Sequence, residues 1–312
     1  MRVLVLGAAA GGGFPQWNSN SEAARRARAG DPHARPSTQS SLAVSADGER
    51  WLLLNASPDI RQQIEANPPL HPRHGVRHSP IEAVVLTNGD VDHVAGLLTL
   101  RERQPLAVYA TPRVLGILGE NDIFRVLDPA YVDRRPMQLD APFRPAGKSG
   151  EPLGLTIEAF ACPGKVALYK ESIEAAFDAD APATVGEDTV GLRVSQESTG
   201  AAFHYLPGCA AVPAWLRRRL DGTGLLLFDG TLWRDDELIS QGAGTKTGRR
   251  MGHMSMSGVD GSIRALEDLR LGRRIFIHIN NSNPALLADS VERRAVEAAG
   301  WEIAADGMEI VL

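Results

Sequence analysis

Five short, almost unbroken apolar runs limit what this chain can fold into: Val3–Leu6, Trp51–Leu54, Ile81–Leu86, Leu225–Phe228 and Ile275–Ile279. A strand with one wet face alternates polar and apolar residues, so runs without alternation suit strands buried on both faces. Such strands need covers, and candidate helices lie between them. Ser57-Pro58 offers a cap and a first-turn proline ahead of Ile60 and Ile64, and Pro213 opens a segment carrying Trp215, Leu216, Arg219 and Leu220 that stops at Gly222. Ser262–Leu271 stops at Gly272, and Ser290–Ala299 stops at Gly300. The mixture predicts a layered α/β protein with helices over sheets. No repeat or low-complexity linker divides the chain; Gly147–Pro152 and Ala179–Asp188 read as loops within one domain spanning residues 1–312.

Four apolar runs end on a residue able to hold a hydrogen bond or a metal: Leu54 then Asn55, Leu86 then Thr87-Asn88, Phe228 then Asp229, and Ile277 then His278. Stiff strand ends are where open α/β proteins place their sites. Bulk properties narrow the function classes. A net charge of −5 gives no basis for non-specific binding to nucleic acid or an anionic membrane. Two cysteines, Cys162 and Cys209, cannot form a disulfide framework or a four-thiolate zinc site, and read as small core residues. The N-terminal apolar stretch is shorter than a signal-peptide core or a membrane span, so the cytoplasm is the expected location. Gly7 to Gly13 follows a strand but misses the G-x-G-x-x-G spacing, and Phe14-Pro15 interrupts any following helix. It reads as a tight loop between the first two strands rather than a dinucleotide site.

The chemistry concentrates in Thr87-Asn88-Gly89-Asp90-Val91-Asp92-His93-Val94-Ala95-Gly96, directly after a strand. This resembles the metallo-β-lactamase superfamily signature T-H-x-H-x-D-H-x-x-G, which implies an αββα sandwich with metals at a strand end. Asn88 and Asp90 replace the first two histidines, and the later P-G-H turn reads Pro163-Gly164-Lys165. A protonated lysine has no lone pair to donate, so the first metal site is dismantled. The resemblance assigns the second site to Asp92, His93 and a late-strand histidine, and His278 fits that position. Two imidazoles and one carboxylate make the facial triad of non-haem Fe(II) oxygenases, so one iron per chain is expected. Zinc fits the same ligands, and a metal-free hydrogen-bonded Asp92–His93 pair is the plainer alternative. Phe228-Asp229-Gly230-Thr231 and Gly252-His253-Met254-Ser255 look like the acid and histidine motifs of the RNase Z and phosphodiesterase branch; Asp229 would orient His253 as a proton shuttle or substrate donor. Lys246, Arg249 and Arg250 lie in the stretch Gly242–Arg250, where they would clamp substrate carboxylates or be merely solvated.

Longer segments narrow the likeness: LGAAAGGGFPQWN, TQSSLAV, LNASPDIRQQ, FDGTLWRDDE, TGRRMGH and IHINNSNP resemble the PqqB family of pyrroloquinoline quinone (PQQ) biosynthesis over nearly the whole chain. The resemblance implies an oxygen- and iron-dependent hydroxylase of the tyrosine from the PqqA precursor, presented as a Glu-Tyr dipeptide. Asp92, His93 and His278 would then hold iron. Asp90, Asp229 and His253 would serve catalysis, and Asn88, Lys165, Lys246, Arg249 and Arg250 would face substrate. The expected partners are a small peptide or amino-acid substrate and other PQQ-pathway proteins, not nucleic acid or membrane. A zinc hydrolase, and a carrier in PQQ transport to the periplasm, are the alternatives. The family commonly carries C-x-C-x-x-C after Pro-Gln-Trp-Asn; here Ser19, Ser21 and Ala24 stand there, so no thiolate zinc is expected in that loop.

Overall fold

The computed structural model describes residues 1–170 and 184–312. Two sheets pack face to face. The first has β1 (Arg2–Gly7), β2 (Ser41–Ser45), β3 (Trp51–Leu54), β4 (Ile81–Val85), β5 (Leu106–Ala110) and β6 (Val132–Pro136) in spatial order. The second comprises β7 (Leu155–Gly164), β8 (Thr184–Gln196), β9 (Ala202–Leu206), β10 (Leu225–Asp229), β11 (Arg273–Ile277) and β12 (Glu302–Ile303), again in spatial order. The last strand, β13 (Glu309–Val311), returns to the first sheet beside β1.

The period-two geometry of strands sorts each apolar run onto two faces. Val3, Val5, Leu52, Leu54, Ala83 and Val85 join Leu225, Leu227, Ile275 and Ile277 between the sheets. Leu4, Leu6, Trp51, Leu53 and Val84 face outward, against the helices Ile60–Ala66 and Pro112–Glu120. Leu226, Phe228 and Phe276 do the same on the other side, under the helices Ala214–Leu220 and Val291–Ala298. The result is the αββα sandwich that the runs required. Each fully buried Leu, Ile or Val contributes about 1.5–3 kcal/mol relative to exposure. Cys162 and Cys209 are free and buried, as expected of core residues.

The strands carrying the polar ends are parallel neighbours, β3 with β4 and β10 with β11, so each pair delivers its carboxyl ends to one edge. The backbone breaks abruptly there. Asn55 (φ 64°) and His278 (φ 61°) adopt the left-handed conformation, which costs a non-glycine residue about 1–2 kcal/mol. The run expected over Ile275–Ile279 therefore ends as a strand at Ile277.

Four local expectations need correction. The glycine-rich segment is not a tight loop between β1 and β2, because residues 8–40 make a long excursion that contains the helix Glu22–Arg28. Within it, Ile279 N–H donates to Ala8 O (2.8 Å) and Ala10 N–H to Ile279 O (2.9 Å), tying the segment to the second sheet. The helix after Ser57-Pro58 starts only at Ile60; Ser57 Oγ accepts from Asp59 N–H at 3.2 Å, closing a turn first. Ser262–Leu271 is helical only over Ser262–Ala265, where the Arg217 guanidinium bonds the Ala265 carbonyl and so withdraws it from a helical ladder. Of the loop expected over Ala179–Asp188, residues 184–188 belong to β8 and the rest lies outside the described residues.

Residues 19–24 fold by hydrogen bonds. Ser21 Oγ caps its helix by accepting from Ala24 N–H (3.1 Å), while the Arg28 guanidinium donates to Ser19 O (2.5 Å) and Gln16 O (2.7 Å). Among the described residues no helix is long and apolar enough to cross a membrane.

His204 on β9 is buried, with Nδ1 2.9 Å from Thr223 Oγ1 and no partner for Nε2 among the described residues. Burial, aided by the charges of Arg193 and Arg219, pushes its pKa down to about 4 from 6.5. The unfolded chain accepts a proton that the folded imidazole refuses. Stability fully present above pH 6.5 therefore declines as pH falls, by roughly 3 kcal/mol near pH 4. Urea unfolding of His204→Gln should show a shallower loss of midpoint between pH 6.5 and 4 than the parent; parallel profiles would remove His204 as the cause.

Candidate metal centre

Asp92 and His93 sit in a single helical turn, Val91–Val94, directly beyond the end of β4. That turn is pinned by backbone. Ala56 N–H donates to His93 O (2.8 Å) and Gly96 N–H to Ala56 O (2.9 Å). A Cβ on Gly96 would lie 2.1 Å from Ser57 O, so only glycine allows this approach. The motif's final glycine thus presses the Asp-His turn against the end of β3. His278 arrives from β11 on the other sheet, turned inward by its left-handed backbone.

These three side chains converge. One ligand atom from each of Asp92, His93 and His278 can be chosen so that all lie within 4.8 Å of one another. His278 Nε2 is 3.0 Å and His93 Nε2 3.9 Å from Asp92 Oδ2. His93 Nε2 is buried and has no hydrogen-bond partner among the described residues. A buried, unpartnered imidazole nitrogen beside a carboxylate is costly without a ligand and is what a metal would satisfy. The three residues fit one ion.

Hydrogen bonds fix which nitrogen faces the site. His93 Nδ1 lies 2.7 Å from Asn88 Oδ1, an oxygen that can only accept, so Nδ1 carries the proton and Nε2 keeps its lone pair. Asn88 thereby orients one of the three converging side chains. On the other side Thr231 is the hub. Its hydroxyl donates to Asp229 Oδ1 (2.6 Å) and accepts from His278 Nδ1 (2.8 Å), leaving His278 Nε2 for the site. Such partners set the tautomer and ring orientation of metal-binding histidines.

Electrostatics distinguish the two imidazoles. Burial pushes His93 down to about 4, so it is a neutral donor at neutral pH. Burial alone would raise Asp92, but the charges of His93 and His278 and the His278 hydrogen bond hold it well below the usual carboxylate range. Burial likewise disfavours charge on His278, yet the Asp92 hydrogen bond and charge outweigh it and raise its pKa, so Nε2 donates to Asp92 Oδ2 and would release that proton on binding an ion.

Asp229, His253 and His278 form a second convergent group within the same limit. Asp229 is fully buried, receiving Cys209 N–H (2.8 Å) on Oδ2 and Thr231 N–H (3.0 Å) on Oδ1. His253 Nδ1 donates to Asp229 Oδ2 (2.7 Å), and its ring stacks on His278 at 5.1 Å. Beside the Asp92-His93 turn, Asn88 Nδ2 donates to Asp90 Oδ2 (3.2 Å) and Lys165 Nζ lies 3.7 Å from Asp90 Oδ1. An ammonium group thus supplies positive charge next to Asp90.

All of this opens into a cleft of about 880 Å³, walled by Asn88, Asp90, Lys165, Lys246 and His253 among others. The three basic residues expected to clamp substrate separate. Lys246 lines the cleft, Arg249 faces Asp260 (3.5 Å), and Arg250 is buried and does not line the cleft. Sequence reasoning did not single out Thr231 or Tyr169. Thr231 was present in the quoted F-D-G-T string, but its hub role depends on contacts to His278, 47 residues away. Tyr169 donates to Gly89 O (2.6 Å) and forms part of the wall. Gly11 packs here too, with room for a Cβ only 3.5 Å from the Asp92 carboxyl.

Replacing Asp92 or His93 with alanine should empty the site, read as metal per chain by elemental analysis. Asn88→Ala should retain the fold but weaken metal binding on the order of 10–100-fold, because His93 loses the acceptor that fixes its tautomer. Unchanged metal content in the first two variants would refute the ligand assignment.

Comparison with known proteins agrees with this geometry. A beta-lactamase superfamily domain model matches residues 50–279. The chain is 56% identical to coenzyme PQQ synthesis protein B of Gluconacetobacter diazotrophicus, over 99% of this chain and 98% of that protein. It is 53% identical to the protein of the same name from Methylorubrum extorquens, over the full length of both. The crystal structure of Zn(2+)-bound PqqB from Methylobacterium extorquens superposes with a TM-score of 0.94 at 52% identity, covering all of both chains. The chain therefore belongs to the beta-lactamase superfamily and, within it, to the coenzyme PQQ synthesis protein B family.

Proposed function

We propose that this chain serves PQQ biosynthesis as an iron- and oxygen-dependent hydroxylase of a tyrosine ring, presented as a Glu-Tyr dipeptide from the PqqA precursor. The observation that carries the reading is the three-residue group Asp92, His93 and His278, beside positions where Asn88, Asp90 and Lys165 form a hydrogen-bonded and ion-paired cluster. Two-metal hydrolysis relies on a second ion, and a protonated Lys165 beside Asp90 offers no lone pair to one. Bound by two imidazoles and one carboxylate with open positions, Fe(II) supplies oxygen activation. The net change inserts one oxygen atom of O2 into an aromatic C–H bond and reduces the other to water, with two electrons and two protons from an external reductant.

The protein's own groups prepare the ring. Asp229 holds His253 as its Nδ1–H tautomer, which leaves Nε2 as the base for the phenol proton. A phenolate is electron-rich beside its oxygen, where the new C–O bond forms. Lys165 and Lys246, on the cleft wall, receive substrate carboxylate. The reaction runs in the cytoplasm, and other PQQ-pathway proteins take the product to ring closure. A zinc hydrolase is the second reading, favoured by the zinc in the related PqqB crystal structure.

The test is anaerobic loading with Fe(II), then admission of O2 with Glu-Tyr and ascorbate. A product heavier by one oxygen atom, absent with zinc, is expected. Zinc-dependent cleavage of a phosphodiester or lactone without oxygen uptake would overturn the proposal. His253→Gln should lower kcat roughly 10²–10⁴-fold with metal content unchanged, since it removes the base and not a ligand.

A further inference from the structure

Past Gln16, Leu238 and Asn280 the metal cleft continues into a second cavity of about 580 Å³. The metal cleft alone is already large enough for a dipeptide, since pockets of roughly 300–1,000 Å³ enclose drug-sized ligands. The second lobe is extra room, and its chemistry differs. Among the described residues no Asp, Glu, Lys or Arg lines it, in a chain where 23% of residues are charged. Its walls are asparagine, glutamine, serine and short apolar residues drawn from 16–21, 238–243 and 280–282.

These walls are held in place. The Arg28 guanidinium ties the carbonyls of Gln16 and Ser19, and Gln16 N–H donates to Asn281 Oδ1 (3.0 Å), joining one wall to the opposite one. The side-chain amides of Asn18 and Asn20 engage nothing among the described residues. Trp17, 85% exposed, stands between Gln16 and Asn18. A primary amide offers both donor and acceptor, matching the N–H and C=O of an extended main chain. A neutral lining has no countercharge for an acidic or basic side chain, whereas an uncharged segment enters without that mismatch.

We propose that this lobe is a subsite for the uncharged main chain of a peptide, so that the preferred substrate extends beyond the tyrosine-bearing dipeptide in the metal cleft. The inference rests on the hydroxylase reading for what occupies that cleft. Arg28 is a positioning residue, acting through the carbonyls it holds, and Asn18 and Asn20 touch the peptide.

Calorimetry with the Fe(II)-loaded protein under anaerobic conditions separates binding from turnover. The probes are Glu-Tyr, Glu-Tyr extended by Gly-Asn-Gly at either its amino or carboxyl end, and the same peptides with Gly-Asp-Gly. At one end the neutral extension should lower Kd roughly 10-fold or more, as two or three new hydrogen bonds would, and the charged extension should give less. Asn18→Ala with Asn20→Ala should bring the ratio of short to extended Kd toward one, and Arg28→Ala should reduce it with metal content unchanged. Equal Kd for short and extended peptides, or a gain indifferent to all three substitutions, would overturn the subsite. Admitting O2 then tests the other reading separately. A groove-dependent binding gain without hydroxylated product would sink the hydroxylase and leave the subsite, whereas hydroxylated Glu-Tyr without any gain would do the reverse.

Discussion

Everything at the site depends on the dry layer between the two sheets. Val85 and Leu54 on one side and Leu227, Ile275 and Ile277 on the other belong to one buried cluster. Packing at that density tolerates little sliding. It fixes the ends of β3 and β4 against the ends of β10 and β11. Asp92 and His278, 186 residues apart in the chain, meet at 3.0 Å as a consequence. Two stiff sheets hold the ligands, rather than one flexible loop, and preorganised ligands lose little freedom when they bind.

On that frame, short-range polar contacts select the chemistry. Each metal-facing imidazole has its other nitrogen tied down, His93 by Asn88 and His278 by Thr231. Asp229 collects bonds from Cys209, Thr231 and His253 and so couples His253 to Thr231, the partner of His278. Beside the converging ligands the cleft wall is ordered by side-chain contacts. Asn88, Asp90 and Lys165 form a connected set there, one member of which orients His93.

Much of this was legible from residues alone. The apolar runs gave the strands, because continuous apolar character survives only where both faces are covered. The polar residues at their ends marked the edge that carries the chemistry. β6 and β8 were harder to see, since residues such as Asp133, Arg134, Glu187 and Asp188 interrupt any apolar signal, and β6 lies at a sheet edge with solvent beside it. The basic stretch Lys246 to Arg250 looked uniform in sequence, yet its turn sends Lys246 to the cleft, Arg249 to Asp260 and Arg250 inward. Consecutive residues in a tight turn point in different directions, and composition does not encode which.

The layered fold and the Asp92-His93 pair could be read from the residues, because they follow from local pattern and from what each side chain can donate. Folding was needed to bring Thr231 between His278 and Asp229, to set Asn88 against His93, and to place a neutral amide-lined lobe beside the metal cleft. Those are contacts between segments brought together by burial of the inter-sheet core, and their distances do not exist until the chain has folded.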